Sequence, residues 1–494
     1  MNQKQKYWVL SLLLGLVLWL GLPAPSYAAE SSASAEAKVL HVLNRLSFGP
    51  RPGDLETMKS TGIEAYIQSQ LTPASIAQPQ SLTQQLDSLE TLRMTPAELV
   101  NEYRQSHRNA QAQQLSPQMR RAAQKRSQQF LQQAVQGRLL RAIESPRQLQ
   151  AVMVDFWYNH FNVFFQKAYN LQGIYEEQAI RPNVLGKFRA LLEATAKHPA
   201  MLYYLDNWQN KAPNRPAARG RFKGLNENYA RELMELHTLG VNGGYTQQDV
   251  ITLARIFTGW GFPPRRQGEA VQAEFYFDAN RHDSRDKVFL GQTIKGSGMA
   301  EGEQALDILA RHPATAHHIS YKLAQYFVAD EPPQSLVDKL AKRFQDTDGD
   351  IRAVLDTLFH SREFLDPKYY NAKFKTPYQY VISAIRATGM DVQNVRPVAG
   401  VLRQLSMQLY GCSTPDGYKN TQSAWLNPDA MLRRISFATT LAAGRFAGSK
   451  PVDAQQLSKT LGNNFSTQTK AVMESSDKQM QTALILGSPE FMRH

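Results

Sequence analysis

Two carboxylates and an amide share one face of a predicted helix near the middle of the chain. Asn228, Glu232 and Glu235 lie at i, i+4 and i+7, with Arg231 beside them. Carboxylates grouped in this way can bind a divalent metal ion, or act as acid and base in proton transfer. They can equally form a buried ion-pair network with Arg231 and Arg255 that only fixes helix packing. Both interpretations stay open at the level of the sequence.

A histidine in an aromatic stretch is the candidate that would complete such a site. His160 and Asn159 end a predicted helix in the motif FWYNHFNVF. A single histidine among aromatic residues is more often buried, with a satisfied hydrogen bond. In the functional interpretation, His160 is a general base or a metal ligand, oriented by Asn159. The candidate ligands of a divalent metal are then Glu232, Glu235 and His160. The known spacings of metal ligands do not decide between a metal site and a structural cluster. The HExxH motif is absent, and the Glu-x-x-His motif would need a glutamate at Met234.

Two loops flank the central helix in the sequence. The basic loop 211–224 precedes it and is interpreted as an ordinary loop or as a lid that clamps an anion. After it, Ala273–Phe277 and Lys287–Leu290 have strand patterns and predict a small β-hairpin or flap. His282 and Asp283 lie between these strands. They are candidate catalytic residues, or alternatively turn residues with local hydrogen bonds.

Arginine and aromatic side chains around the central helix are predicted to hold the substrate. Arg231 and Arg255 would bind an anionic group, because a guanidinium donates several hydrogen bonds to an oxyanion. Arg255 belongs to a second helix, whose start at Thr246 with Asp249 matches a capping box. The predicted substrate-binding set is Asn159, Asn228, Arg231, Arg255 and Trp260.

Helical spacing of apolar residues along most of the chain predicts a mainly α protein. We expect a multi-helix bundle with one small β-hairpin or flap insertion. Residues 38–494 are predicted to form a single large helical domain, with a candidate subdomain break near 331–335. Within a predicted long helix, Pro96–Glu144, the polar stretch 105–128 is interpreted as a solvated arm, a partner-binding helix or merely an exposed surface helix. The Gly/Ser/Thr/Asn-rich stretch 410–428 is expected to line the same cavity as the aromatic residue that follows the second helix.

Residues 1–29 have the pattern of a secretory signal peptide. Two lysines precede an apolar stretch, Trp8–Leu22, and Ser26–Ala28 fits the small-x-small cleavage rule. Residues 30–37 are rich in serine and alanine and are predicted to be a flexible leader. We expect cleavage near Ala28 and a protein that is periplasmic or secreted, with no transmembrane anchor after processing.

Composition narrows the classes of partner. Two of the 56 basic residues lie in the predicted signal peptide, which leaves 54 basic against 43 acidic residues. This charge is spread thinly, so nucleic-acid binding is disfavoured and attraction to anionic envelope polymers is favoured. A single cysteine, Cys412, excludes an internal disulfide. Stability must therefore come from a large core or from a bound ligand.

Several long motifs resemble one known family, the domain of unknown function 1800 family. The resemblance covers nearly the whole mature chain, and implies a mainly helical, exported bacterial protein. It also implies a sulfatase-like exported partner from the domain of unknown function 1501 family, but no catalytic residue by name. The motifs are LNRLSFGPRPGDLETMKSTGIEAYIQSQL, FWYNHFNVF, NENYARELMELHTLGV, ARIFTGW, FDANRHDSRDKVFLG and GYKNTQSAWLNPDAMLRR.

Two hypotheses of function follow from these patterns. The first is a metal-assisted hydrolase that acts on a cell-envelope glycan or sulfated polymer. Its catalytic set would be Glu232, Glu235, His160, His282 and Asp283. The second is a non-catalytic scaffold, or an export or assembly partner of a second secreted protein, in which the polar cluster only fixes helix geometry.

Overall fold

Capped helices make up most of the chain in the computed structural model, which describes residues 32–213, 224–263, 270, 272–392 and 394–494. Within these residues there are 24 α-helices, and the prediction of a mainly α fold is confirmed. The predicted signal peptide lies outside the described residues, as does most of the basic loop 211–224. The first helix begins at Ser32, inside the stretch predicted as a flexible leader.

The first twelve helices precede the β segments. They are α1 (Ser32–Leu46), α2 (Asp54–Thr61), α3 (Ile63–Leu71), α4 (Gln80–Asp87), α5 (Pro96–Gln111), α6 (Pro117–Glu144), α7 (Gln148–His160), α8 (Gln172–Tyr175), α9 (Phe188–Lys197), α10 (Pro199–Tyr204), α11 (Asn228–Glu232) and α12 (Gln247–Ile256). Two of them continue as π-helical turns, α8 through Glu176–Ile180 and α11 through Leu233–His237.

Twelve further helices follow the β segments within the described chain. They are α13 (Met299–Arg311), α14 (Pro313–Phe327), α15 (Gln334–Asp346), α16 (Ile351–Phe359), α17 (Arg362–Leu365), α18 (Pro377–Ala387), α19 (Arg396–Gln404), α20 (Gln422–Trp425), α21 (Pro428–Ala442), α22 (Ala454–Thr460), α23 (Thr467–Glu474) and α24 (Lys478–Gly487). Helices α14 and α15 pack against each other across the predicted break at 331–335. None of the described helices is long and apolar enough to cross a bilayer.

The long helix predicted over Pro96–Glu144 is two helices, α5 and α6, which form a hairpin. The turn arises because the Ser116 side chain accepts a hydrogen bond from the Met119 amide and Pro117 occupies the first helical position. Arg126 of α6 binds Glu102 of α5, so the two helices pack along the polar stretch. The prediction of one continuous helix is wrong, because Ser116 and Pro117 form a helix start signal inside the helical pattern.

The predicted hairpin between two strand-like stretches is also wrong in its pairing. The strands are β1 (Trp260–Gly261), β2 (Tyr276–Phe277), β3 (Lys287–Phe289) and β4 (Gln292–Ile294), and the pairs are β1 with β2 and β3 with β4. Leu290 and Gly291 both have positive φ, 47° and 75°. A two-residue turn of this kind joins adjacent strands with the correct twist, so β3 pairs locally.

A buried ion-pair network crosses the helices next to the central site. Arg138 of α6 donates hydrogen bonds to Asp155 of α7 (2.6 Å) and to Glu176 of the first π-helical turn (3.3 Å). The Tyr410 hydroxyl donates to the same Glu176 carboxylate (2.9 Å). Arg138 and the two carboxylates are all less than a tenth exposed. Asp155 therefore depends on Arg138 for charge compensation, whereas Glu176 is also bound by Arg181 (2.5 Å).

We predict that Arg138→Met lowers the free energy of unfolding by about 3–5 kcal/mol, because it leaves the Asp155 carboxylate buried without an ion-pair partner, whereas Glu176 keeps Arg181. The matched control is Arg433→Met, which breaks an exposed pair with Asp429 and should cost less than about 1 kcal/mol. Chemical denaturation of both variants measures the difference. Equal losses in the two variants would contradict the structural role assigned to Arg138.

Candidate acid–base site

The central helix holds its two glutamates at the border of the core. Tyr229 and Leu233 are buried, whereas Glu232 and Glu235 are half-buried, as the predicted face requires. The α-helical pattern ends at Glu232, and a π-helical turn carries Glu235. Gly240 then closes the segment with φ 83°. Such π-helical turns are rare and occur frequently at functional sites.

The Glu232 carboxyl group lies among other acids. Burial, then the charges of Glu235 and Asp416, raise its pKa, and Arg231 opposes them more weakly. No hydrogen bond to the Glu232 carboxylate is present in the part of the chain that the structure describes. An acid with few compensating partners favours its neutral form, which can donate a proton.

Asp416 lies in a turn whose backbone is fixed by Asn159. The Asn159 side chain accepts a hydrogen bond from the Tyr418 amide (2.7 Å) and donates to the Tyr418 carbonyl (2.8 Å). Gly417, which follows Asp416 in this turn, has φ 70°. Any side chain at this position would overlap the backbone carbonyl oxygen of Asn159. Asn159, predicted to bind substrate, therefore uses its amide to position the turn beside Glu232.

The same turn is held at its start by two further side chains. Asn162 donates to the carbonyl groups of Cys412 (3.0 Å) and Thr414 (2.8 Å). The Tyr204 hydroxyl donates to the Ser413 carbonyl (2.9 Å). Asn162, just after α7, and Tyr204 of α10 are thereby both connected to a single loop, 412–418.

The environment of Asp416 differs from that of Glu232. Burial alone would raise the pKa of Asp416, but hydrogen bonds from Lys419 and Thr414 hold it below its ordinary range. The Lys419 ammonium donates to the Asp416 carboxylate at 2.6 Å. Two carboxyl groups of one site are thus shifted in opposite directions, one towards the acid form and one towards the ionised form.

His160 belongs to a cluster of imidazoles behind this site. Its Nε2 atom is 3.0 Å from the His237 carbonyl, and its ring centroid is 6.2 Å from that of His318. Burial, followed by the charge of Lys322, lowers the pKa of His160 far below its ordinary value. Within the described chain, no hydrogen bond, ion pair or ring contact joins His160 to Glu232. No described contact thus joins His160 to the glutamates of the predicted catalytic set.

Lys322 is the basic group between the imidazole cluster and the acid–base site. It follows His318 by one helical turn on α14. Burial and the charge of Lys419 lower its pKa to about 8, and Asp416 opposes this shift. Neither Lys322 nor Asp416 was among the site residues predicted from the sequence. The available signals were the one-turn spacing from His318, and the glycine after Asp416 that permits the tight turn.

The histidine and aspartate of the predicted flap belong to a separate network. His282 contacts the Thr258 carbonyl (2.8 Å) and the Glu301 carboxylate (2.9 Å), and Lys287 contacts the other Glu301 oxygen. Asp283 binds Arg255 at 2.8 Å. His282 and Asp283 thus both have hydrogen-bond or ion-pair partners within this network. In the described chain neither of them contacts Glu232 or Asp416.

The remaining predicted substrate-binding residues are dispersed. Asn228 is exposed and donates to the Leu205 carbonyl (3.2 Å), and Arg231 is half-exposed and donates to Gln247 (2.8 Å). Trp260 is completely buried against Gly302 and is not at a surface. Arg231 is the one of these three that also affects the acid–base site, through its charge on Glu232.

The described residues contain no group of three or more His, Cys, Asp or Glu side chains arranged to hold a metal ion. The metal assignment to Glu232, Glu235 and His160 thus stays a prediction that the described geometry does not support. A cavity of about 380 Å³ lies elsewhere, between β4 and α13. Its lining residues are Gln292, Thr293, Ile294, Gln304, Asp307, Ile308, Arg311, His312 and Pro313.

Fold and site together define a mainly helical protein with a pair of oppositely tuned carboxyl groups. The family model described as protein of unknown function (DUF1800) matches residues 41–493, and the chain belongs to this family. The predicted resemblance is therefore confirmed. No curated protein and no solved structure matches the chain.

We predict opposite effects on stability when two glutamates are neutralised. Because the folded-state pKa of Glu232 is raised, its contribution to stability is present at low pH and is lost as pH rises through that pKa. At about pH 7, Glu232→Gln should leave the free energy of unfolding unchanged or increase it. Any gain should shrink as pH is lowered towards about 4, the ordinary glutamate pKa.

The matched change is Glu301→Gln. The Glu301 carboxylate is fully buried and binds His282 and Lys287, so its neutralisation should cost about 3–5 kcal/mol. Denaturation curves of both variants test the distinction. A large loss of stability in Glu232→Gln at neutral pH would show that Glu232 is a structural ion-pair partner.

Proposed function

We propose that the protein is an exported hydrolase that cleaves a cell-envelope glycan or sulfated polymer. In this proposal Glu232 is the general acid and Asp416 is the ionised partner. The observation that carries the proposal is the opposite shift of their pKa values within one site. Export is inferred from residues 1–29, which have the pattern of a signal peptide.

Glycoside hydrolysis is a reaction that uses two such carboxyl groups. One must be protonated to donate to the leaving oxygen, and the other must be ionised to activate water or to attack the sugar. Glu232 lies among acids and Asp416 is bound by Lys419, so each environment suits one of these roles. The fixed turn 412–418 supports the assignment, because a catalytic pair needs constant geometry.

The remaining side chains of the site fit a polar, partly anionic substrate. Arg231 is half-exposed beside Glu232, and Lys419 is exposed beside Asp416, so both can meet a sulfate or uronate group. Lys322, with a pKa lowered to about 8, provides a base between Asp416 and the imidazole cluster. This reaction requires no metal ligand from the chain, and the predicted divalent metal is not part of the proposal.

A second candidate function is suggested by an exposed apolar face. Leu426, Leu432 and Ile435 are 45%, 68% and 49% exposed, next to and on α21. Exposed apolar residues grouped on one helix favour a protein partner. This observation fits a non-catalytic scaffold for a second exported protein, such as the sulfatase-like family that the resemblance implies.

We predict that Glu232→Gln and Asp416→Asn each lower the rate of bond cleavage by about 10²–10⁴-fold, because each removes a positioned proton-transfer group. The assay measures new reducing ends released from envelope polysaccharides by the mature protein. Asp429→Asn, at an exposed position on α21, is the matched control and should keep the wild-type rate. Thermal melting shows that each variant is folded.

The pH dependence of the same reaction tests the roles individually. The rate should fall as pH rises through the raised pKa of Glu232, because the acid form is lost. It should fall again as pH is lowered through the depressed pKa of Asp416, because the ionised form is lost. Absence of cleavage by the wild type, with retention of a second exported protein through α21, would favour the scaffold function.

A further inference from the structure

Aromatic side chains collect at one place beside the acid–base site. The buried ring of Tyr203 is their centre. Its centroid lies 4.7 Å from that of Tyr169, 5.8 Å from that of Trp208 and 4.3 Å from that of Phe262. The three surrounding rings are half-buried, so each leaves part of its area to solvent. These four residues form a contiguous apolar contact area, which we call the aromatic surface.

A guanidinium lies over one ring of the aromatic surface. The Cζ atom of Arg104 is 4.8 Å from the centroid of Tyr169, which is within cation–π distance. Arg104 is half-buried, and it has no ion pair or hydrogen bond with any residue that the structure describes. Its donors are therefore free to bind an anionic ligand. Stacking on the ring already orients the planar guanidinium, so little freedom is lost when such a ligand binds.

Polar groups border the same rings. The indole N–H of Trp208 makes no hydrogen bond within the described chain. Lys167 and Asp206 precede Tyr169 and Trp208 by two residues each, and they form an ion pair of 2.8 Å. The lysine side chain is 46% exposed and the aspartate 24% exposed, so both can also meet a ligand. Hydrogen-bond donors and an acceptor thus lie next to aromatic rings, which suits a ligand with hydroxyl groups around an apolar face.

A short segment, 203–208, connects the aromatic surface to the acid–base site. The hydroxyl of Tyr204 donates to a backbone carbonyl of loop 412–418 (2.9 Å). Asn228, the first residue of α11, donates to the Leu205 carbonyl (3.2 Å). Both elements that carry the two carboxyl groups are therefore hydrogen-bonded to the segment that carries two of the four rings.

We propose that the aromatic surface, with Arg104 at its edge, binds a sugar ring of an anionic glycan, which carries a uronate carboxylate or a sulfate. A pyranose has a face of C–H groups with partial positive charge, which packs against the negative face of an aromatic ring. Its carboxylate or sulfate would accept two parallel hydrogen bonds from the guanidinium. Because it specifies the substrate of the proposed hydrolase and where that substrate binds, this inference rests on the proposed function.

Position and composition favour a glycan over a protein partner. A polymer bound at the two carboxyl groups must extend beyond them, and the hydrogen bonds of segment 203–208 place the aromatic rings next to that point. The exposed aliphatic side chains Leu432 and Ile435, which suit a protein partner, lie on α21 and are not part of the aromatic surface.

The experiment measures binding of the full mature chain to dextran sulfate, polygalacturonate and uncharged dextran by isothermal titration calorimetry at physiological ionic strength. Glu232→Gln is the common background, so that no polymer is cleaved during the titration. We expect an anionic polymer to bind more tightly than dextran, and the tighter of the two identifies the anionic group. Tyr169→Ala, Trp208→Ala and Arg104→Met should each raise its Kd by about tenfold, because each removes one ring or cation contact.

The matched controls are Tyr369→Ala and Lys368→Met. The Tyr369 ring is also half-buried and has the Lys368 ammonium 4.8 Å from its centroid, but it belongs to a different segment of the chain. Both controls should keep the Kd of the background, and thermal melting shows that each variant is folded. An equal Kd for Tyr169→Ala and Tyr369→Ala would overturn the proposal. An equal Kd for dextran and both anionic polymers would also overturn it.

Binding and cleavage together separate this inference from the proposed hydrolase. Binding that depends on Tyr169 and Trp208, without cleavage by the wild type, would support the glycan surface and contradict the hydrolase. Cleavage of an anionic polymer with an unchanged KM in Tyr169→Ala and Trp208→Ala would support the hydrolase and contradict the surface. Retention of a second exported protein that Trp208→Ala abolishes, with no polymer binding, would assign the surface to a protein partner and overturn the proposal.

Discussion

Arg138 lies between two buried carboxylates, and the position of the acid–base site depends on that arrangement. Asp155 belongs to α7 and Glu176 to the first π-helical turn, so their shared guanidinium fixes two elements relative to α6. Tyr410 binds Glu176 and thereby sets the start of the segment that leads into loop 412–418. Buried charges of this kind tolerate little displacement, because separating Arg138 from Asp155 leaves that carboxylate without an ion-pair partner in the interior. The site is therefore built on a rigid base.

The site itself is defined by the different environments of two neighbouring carboxyl groups, which shift their pKa values in opposite directions. Glu232 lies among acids and has no hydrogen-bond partner in the described chain, whereas Asp416 is bound by an ammonium group and a hydroxyl. Asn159 of α7 and Asn162, just beyond the end of α7, preserve this difference by holding the backbone around Asp416. Behind them, the His160 cluster is buried and held neutral, which makes it part of the support for the site. The two carboxyl groups proposed to react lie where the chain is only partly buried.

Local patterns predicted the parts of the fold that local physics determines. The Thr246–Asp249 capping box and the face that carries Glu232 both form as the sequence indicates, because each depends on residues within one or two turns. The π-helical turn at Leu233–His237 was not predicted, since its sequence is also a good α-helix. Lys322 and Asp416 escaped notice for a different reason. Each looks ordinary in the sequence, and only tertiary packing brings Asp416 near Glu232 and Lys322 near Asp416.

Two residues of the predicted catalytic set, His282 and Asp283, have other partners nearby. His282 binds Glu301, and Asp283 binds Arg255. The predicted flap residues therefore belong to a network of their own. Burial of a charged or hydrogen-bonding group demands such partners. A sequence shows which residues could do chemistry, but the competition for partners is decided by the fold.

The central claim is that Glu232 holds its proton above the ordinary glutamate range. Carbon-13 NMR of carboxyl-labelled glutamate in the mature protein, followed over pH and compared with Glu232→Gln, measures this directly. The account predicts one carboxyl resonance that titrates above the others and disappears in the variant. If every glutamate titrates in the ordinary range, near pH 4, or if the shifted resonance persists in the variant, the assignment of Glu232 as the acid is contradicted.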